Sequence, residues 1–452
     1  MLCIKFIAVL LFAILLEWGF APPSKAFQAL PQEDTPPQLA QKISIADLID
    51  YAYRENPSIQ SAREAWRSTV ENYRITTGYP DPQIMVTYFP DPIETRLGPQ
   101  DWNASISQKI PFPGKLSKAG EVVAADARIA RLKLDKTIRE VVVAIRESYH
   151  ELLYVRSGKK VAAENMKLLD HLRKVSESSY AQDRAELIDM VKAQSQTGQL
   201  RYDILLLDDL EKTEITRLNG LLNRPPDADI GLLDPIANLP VVFSLEEIYA
   251  MAESQQEEIQ MTQIGVEKAE LKMDLARYEN LPDFSVGLFY SDIGIPDVAK
   301  PPADAGRDAL GIQTGFTLPL WFGKNKSRIL KAQAERDEAR ANKTEWVNQT
   351  KTEIRSLFFR LENAHRLMDL YAKELLPQAA RSMELAETWF QEGESSFSDF
   401  IETQAVWYNF QLAFARAESD YGKYLARLER LVGRNLTEKE VDSASDSGKG
   451  DK

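Results

Sequence analysis

The sequence predicts a mostly α chain with a small β part: duplicated, very long coiled-coil hairpins and four β-strands. Three observations carry that reading. Residues 115–224 contain no proline, and apolar residues recur there at spacings of three and four. Four short segments alternate apolar with polar residues, as half-buried strands do. The whole pattern occurs twice, about 200 residues apart.

The duplication is read from matched motifs in unbroken order. Ile43-Ser-Ile-Ala-Asp-Leu48 returns as Phe243-Ser-Leu-Glu-Glu-Ile248, and Pro80-Asp81 returns as Pro282-Asp283. Ile110-Pro-Phe-Pro-Gly-Lys115 returns as Leu318-Pro-Leu-Trp-Phe-Gly-Lys324, and Ile145-Arg146 as Ile354-Arg355. Residues 180–194 match 390–404, with Asp189 against Asp399, and 218–224 match 428–434. The expected organisation is a signal peptide (1–26), an N-terminal linker (27–42) and a first repeat (43–225). A Pro-rich linker (226–242), a second repeat (243–435) and a disordered tail (436–452) follow.

Each repeat reads helix, two strands, helical hairpin. A helical pattern over 44–78 is broken at Pro57 and ended by Pro80 and Pro82. Strands are expected at 83–89 and 102–110, within a β-hairpin at 83–110, separated by a Pro/Asp/Gly-rich loop at 90–99. Trp102, Ala104, Ile106 and Ile110 share one face, opposite Asn103, Ser105, Ser107 and Lys109. The second repeat places its strands at 284–291 and 310–318, with a longer loop at 292–308. Helical hairpins follow at 115–224 and 323–434. A helix over 115–180 would run about 100 Å. The pattern lapses at 181–187 and 391–398, which read as tip turns. The returning arms, 188–222 and 397–434, are about 52–57 Å long and too short to cover the outgoing rod. Helices at 58–78 and 260–280 would complete them by stacking end-on.

Composition excludes several functions. The formal net charge of the 452-residue chain is −13, against the basic face that a nucleic-acid binder needs. The sole cysteine, Cys3, lies in the apolar leader, so disulfides, thiolate metal sites and a cysteine nucleophile are not expected. His150, His171 and His365 read as packed or tunnel-facing rather than metal ligands. The sequence holds no Gly-rich phosphate loop and no nucleophile elbow, and its acid pairs read as helix-surface charges. Neither an enzyme nor a cofactor is expected. Residues 1–16 form an apolar run of signal-peptide length, and Ser24 and Ala26 fit a cut before Phe27. Cys3 sits too early for lipidation. No later run approaches the roughly 20 apolar residues of a spanning helix, so an exported chain that crosses a membrane must use strands. Four strands cannot close a barrel; three chains would supply twelve.

Specific residues now carry a resemblance. The duplicated order, the Tyr79-Pro-Asp-Pro-Gln83 and Ile110-Pro-Phe-Pro-Gly-Lys115 turns, and Phe390-x-x-Gly393 followed by Asp399-x-x-Glu402 resemble the outer membrane efflux protein family of the TolC type. The likeness covers residues 43–435. Its Pro-Phe-Pro-Gly-Lys turn leans toward the branch that serves heavy-metal pumps. The resemblance implies a homotrimer with one shared 12-stranded barrel in outer membrane lipid and a long periplasmic α-barrel tunnel. It implies passive export, with a periplasmic adaptor and an inner-membrane pump, RND-type by preference, as partners.

It also implies a channel entrance. Asp399 and Glu402, one helical turn apart, would ring the periplasmic mouth; the alternative is a pair of solvated acids at a helix start. Asp189 is the first-repeat counterpart, with Lys192 in place of the second acid. The tip turns, expected to meet the adaptor, comprise Asp183, Arg184 and Ala185 in one repeat and Gly393, Ser395 and Ser396 in the other. Gly393 suits a tight turn. Ser395 stands where a gate-closing arginine would be expected. Two alternatives remain: a type I protein-secretion duct, which shares every feature, and a soluble periplasmic coiled-coil scaffold or adaptor, which would lack the duplicated strands.

Overall fold

The structure is a computed structural model that describes residues 42–180, 187–392 and 394–437. The expected signal peptide, most of the expected N-terminal linker, and Asp183, Arg184, Ala185 and Gly393 lie outside the described residues.

Each repeat opens with a capped helix pair. Ser44 caps α1 (Ile45–Glu55) and Ser244 caps α5 (Leu245–Gln255), each in a reciprocal capping box with Asp47 or Glu247. The pairs continue as α2 (Pro57–Thr77) and α6 (Glu257–Tyr278). Strands β1 (Gln83–Thr95) and β2 (Gly98–Ile110) lead into α3 (Lys115–Tyr180) and α4 (Leu187–Leu221). In the second repeat β3 (Asp283–Ile293) and β4 (Ala309–Thr317) lead into α7 (Phe322–Leu370), a π-helical turn (Tyr371–Leu375), α8 (Leu376–Glu392) and α9 (Phe397–Val432).

The end-on stacking has a named hinge. Asn56, 3% exposed, accepts from Ser58 N and Ile59 N through Oδ1 and so caps α2. Its Nδ2 donates to Leu221 O at the end of α4, 2.7 Å away. One side chain thus satisfies orphan backbone groups of two helices meeting end to end. Gln256, its counterpart, is 2% exposed and accepts from Thr350 Oγ1 at 2.8 Å. The returning helices α4 and α9 end at Asn223 and Gly433, matched positions that both have positive φ.

The four strands form one antiparallel sheet in the order β1-β2-β3-β4. Two hairpins were expected; the β2–β3 ladder fuses them into a meander. The expected 90–99 loop is largely strand. β1 runs to Thr95 with a register shift between Tyr88 and Ile93, which places Pro90 and Pro92 in an irregular stretch of an edge strand. Ladder partners carry the alternation across all four strands: Ile84, Ile106, Leu288 and Ile312 form one row, with Val86, Ala104, Tyr290 and Leu310 beside it. That face is exposed and apolar, with Ile84 64%, Leu310 77% and Ile312 75% exposed. Gln83, Ser105, Ser107, Gly287 and Gln313 point to the other face. Met85 and Phe289 are the large apolar exceptions there, the Phe289 ring lying over Gly311, where a Cβ would be 2.1 Å away.

α3 packs against α2 and α6 near the sheet, then against α4 and α9. One buried cluster joins both hairpins toward the tips (Leu169, Ala193, Met383, Phe400, Tyr408). A second ties α7 and α9 to α5 at the waist (Ile248, Ile354, Leu361, Leu428). Tyr149 OH donates to Asp234 O at 2.7 Å, pinning the linker between the repeats. Two expectations are corrected. The second rod is not one α-helix, because Pro377 lacks an N–H for the Lys373 carbonyl and the helix widens to π just before it. Order also extends past residue 435: Leu436 is fully buried, and its N–H donates to Glu429 Oε1 at 3.0 Å.

Candidate functional site

The described tip belongs to the second repeat. Ser396 starts α9, and Asp399 is its third residue. The Asp399 amide donates to Ser396 Oγ (3.2 Å), while the Asp399 carboxylate accepts from Ser396 N (3.2 Å) and Oγ (2.8 Å). Ser396 is therefore the N-cap and Asp399 the third-position partner that completes the capping box. Asp399 is also exposed, as is Glu402 on the next turn. The cap geometry and the exposed acidic pair coexist, because one carboxylate oxygen suffices for the cap.

Beneath the acids the tip is apolar. Phe400 is fully buried, with the Phe390 ring 5.8 Å away, and Ile401 is 8% exposed. Ser395, where an arginine was expected, is half-buried, and its hydroxyl has no hydrogen-bond partner. Asp189 is the third residue of α4, within its first turn; its side chain is outside the described residues. Lys192, which replaces the second acid of that repeat, donates through Nζ to Ser398 Oγ. The departure from the acidic pattern thus has a use: it ties the end of one hairpin to the end of the other.

Sequence reasoning missed the polar pair inside the coil. Gln404 Nε2 donates to Asn165 Oδ1 at 2.8 Å, and Asn165 Nδ2 donates to Val161 O at 2.9 Å. They are 2% and 1% exposed. A buried amide in a coiled-coil seam costs stability and fixes register. Gln194, the counterpart of Gln404, is exposed, so the pair is absent from the repeat pattern that revealed other sites.

The waist is electrostatic. Glu147, Glu151 and Arg146 of α3 pair with Arg427, Arg416 and Glu429 of α9, and Lys423 reaches Glu151. His150 sits among them, 6% exposed, its ring packed on Gly422. Burial first, then the Arg146 and Lys423 charges, hold its pKa down to about 4. Burial likewise lowers Lys423 to about 8. His365, half-buried, lies 5.7 Å from the Tyr421 ring, whereas His171 is exposed. Among the described residues no three acidic, histidine or cysteine side chains come together as a metal site, and no helix is long and apolar enough to cross a membrane.

Residues 248–434 match the family model described as outer membrane efflux protein. Over those residues the chain is similar to the outer membrane efflux proteins. Over 294 residues it is 21% identical to the pyoverdine export outer membrane protein OpmQ of Pseudomonas aeruginosa, a match covering 62% of this chain. The chain spans about 60% of the length of that curated relative. The fold matches the outer membrane protein VceC of Vibrio cholerae with a TM-score of 0.71 at 16% identity, covering 87% of this chain and 96% of that one. It matches the CmeC outer membrane channel of Campylobacter jejuni with a TM-score of 0.71 at 14% identity, covering 87% of each chain. The efflux-protein match covers most of the second repeat, and the structural likenesses extend over both. OpmQ is an export protein of the outer membrane, CmeC an outer membrane channel and VceC an outer membrane protein.

Proposed function

We propose that the chain is the outer membrane channel component of a tripartite efflux system, passively conducting solutes delivered by an inner-membrane pump and a periplasmic adaptor. The observation that carries this is the sheet. It has an apolar face continuous across four strands and a mainly polar opposite face, and among the described residues both its edges are unpaired. Such a sheet is stable in lipid only when closed, and three copies close it. The two rods of about 100 Å, attached at one end of the sheet, suit a periplasmic tunnel. An N-terminal signal peptide without lipidation, and adaptor docking at the tips, belong to the same reading. The likeness to a pyoverdine exporter supports a small-solute cargo over a secreted protein. The turn that suggested the heavy-metal branch gives no separate support for a metal cargo, since Lys115 has a structural role at the junction of sheet and rod.

Threefold symmetry would place up to six carboxylates from Asp399 and Glu402 around one mouth. Two unit charges 8 Å apart repel by about 2 kcal/mol at an effective dielectric of ~20, before screening. In planar bilayers, Asp399→Asn with Glu402→Gln is expected to lower cation selectivity and weaken block by multivalent cations from the periplasmic side. The side-chain amide oxygen introduced by Asp399→Asn can still accept from Ser396, so assembly should persist. Unchanged selectivity and block in normally inserted channels would return both residues to ordinary helix-start acids.

A further inference from the structure

The junction between β2 and α3 is locked to the start of β3. Lys115 Nζ donates to Asp283 Oδ1 at 2.6 Å and to Leu281 O at 2.8 Å. Asp283 Oδ1 also accepts from Phe112 N at 3.2 Å, and Lys109 Nζ lies 3.3 Å from Oδ2. Lys115 and Asp283 side chains are only 14% and 17% exposed, so the pair is well shielded from water. It joins neighbouring strands of different repeats at the place where the sheet meets the rod.

Both partners have counterparts under the duplication. Lys324 occupies the place of Lys115, and Asp81 the place of Asp283. Both counterparts are exposed. They cannot meet within the chain. Asp81 precedes β1 and Lys324 follows β4, and these are opposite edges of the sheet, about 14 Å apart at the usual strand spacing. Around Lys324 the apolar cover is also missing, with Trp321 76% and Phe322 79% exposed; around Asp81, Tyr79 is 67% exposed.

We propose that Lys324 of each copy pairs with Asp81 of the next, so that the lock seen between repeats recurs between chains. The inference rests on the trimeric reading above. The occupant is a second copy of this chain because the required partner surface, a Pro-Asp at a strand start, is the one this chain carries unpaired at its other edge. Transferring the β2–β3 register through the repeat sets Phe316 against Ile84 and Ile312 against Tyr88 of the neighbour, which keeps apolar residues on the apolar face. A row that leaves Ile84 then re-enters the next β1 at Tyr88. That displacement of about four residues per chain, about 12 around the ring, corresponds to a strand tilt of roughly 35°, within the range of closed barrels.

The test uses the full chain, extracted in mild detergent, with Asp81→Cys and Lys324→Cys together; the native Cys3 lies in the leader and is changed to Ser as a precaution. Oxidation should give covalent dimers and trimers on denaturing gels, and neither single variant should. As a measurement without cysteines, Lys324→Asp should lower the temperature at which the trimer dissociates, and adding Asp81→Lys should restore it. A stable trimer with no cross-link and no rescue by the charge exchange overturns the lock and leaves the trimeric reading standing. A wild-type chain that never forms trimers overturns both.

Discussion

Leu288→Arg is expected to abolish assembly of the trimer in the membrane. Leu288 lies in the middle row of the apolar face, flanked on the ladder by Ile106 and Ile312. An arginine facing lipid near the midplane of a barrel costs about 2–4 kcal/mol, and the ring would bear it three times. The control is Gln313→Arg, one residue from Ile312 on the opposite face. It adds the same charge to the lumen side, where water solvates it, and should assemble. Heat-resistant trimers, scored on gels from outer membrane extracts, should disappear for the first variant and persist for the second. Equal tolerance of both charges would mean that the apolar face does not meet lipid.

Gly422→Ala is expected to destabilise the waist strongly. A Cβ there would sit 2.1 Å from His150 Cε1 and 2.4 Å from both ring nitrogens. The ring is buried between α3 and α9, so overpacking of about 1–3 kcal/mol follows. His150→Ala should rescue Gly422→Ala, a coupling that a double-mutant cycle measures. The same contact predicts acid sensitivity. Folding lowers the affinity of His150 for a proton, so the unfolded chain protonates first as pH falls. The stabilising effect of the neutral ring is complete above about 6.5 and is lost as pH falls to about 4. A shift of that size corresponds to about 3 kcal/mol. Thermal unfolding of His150→Leu should therefore lose less stability than wild type between pH 6.5 and 4. Identical pH profiles would remove His150 from the account.

Much of the fold was legible because the duplication let each half check the other. Pro57, Pro80 and Pro82 fixed boundaries, and the 3.6-residue stripe placed α3 at its observed limits. The β2–β3 ladder was not legible, since pairing between strands about 180 residues apart leaves no local mark. Pro90 and Pro92 argued for a loop, but an edge strand absorbs proline in a bulge. The π-turn was signalled by Pro377, which the periodic pattern masked. At the tip, sequence spacing singled out Asp399 and Glu402 but could not separate cap from channel ring, because one acid at that position suits either role. The Asn165–Gln404 pair and the His150–Gly422 contact depend on which helices face each other. Tertiary packing decides that, and the period of one helix does not.

Native mass spectrometry of the protein extracted from outer membranes in mild detergent tests the central claim most directly. The account predicts a species of three chains, found in the outer membrane fraction and held together without any other polypeptide. A monodisperse monomer, soluble without detergent and recovered from the periplasmic fraction, would contradict it.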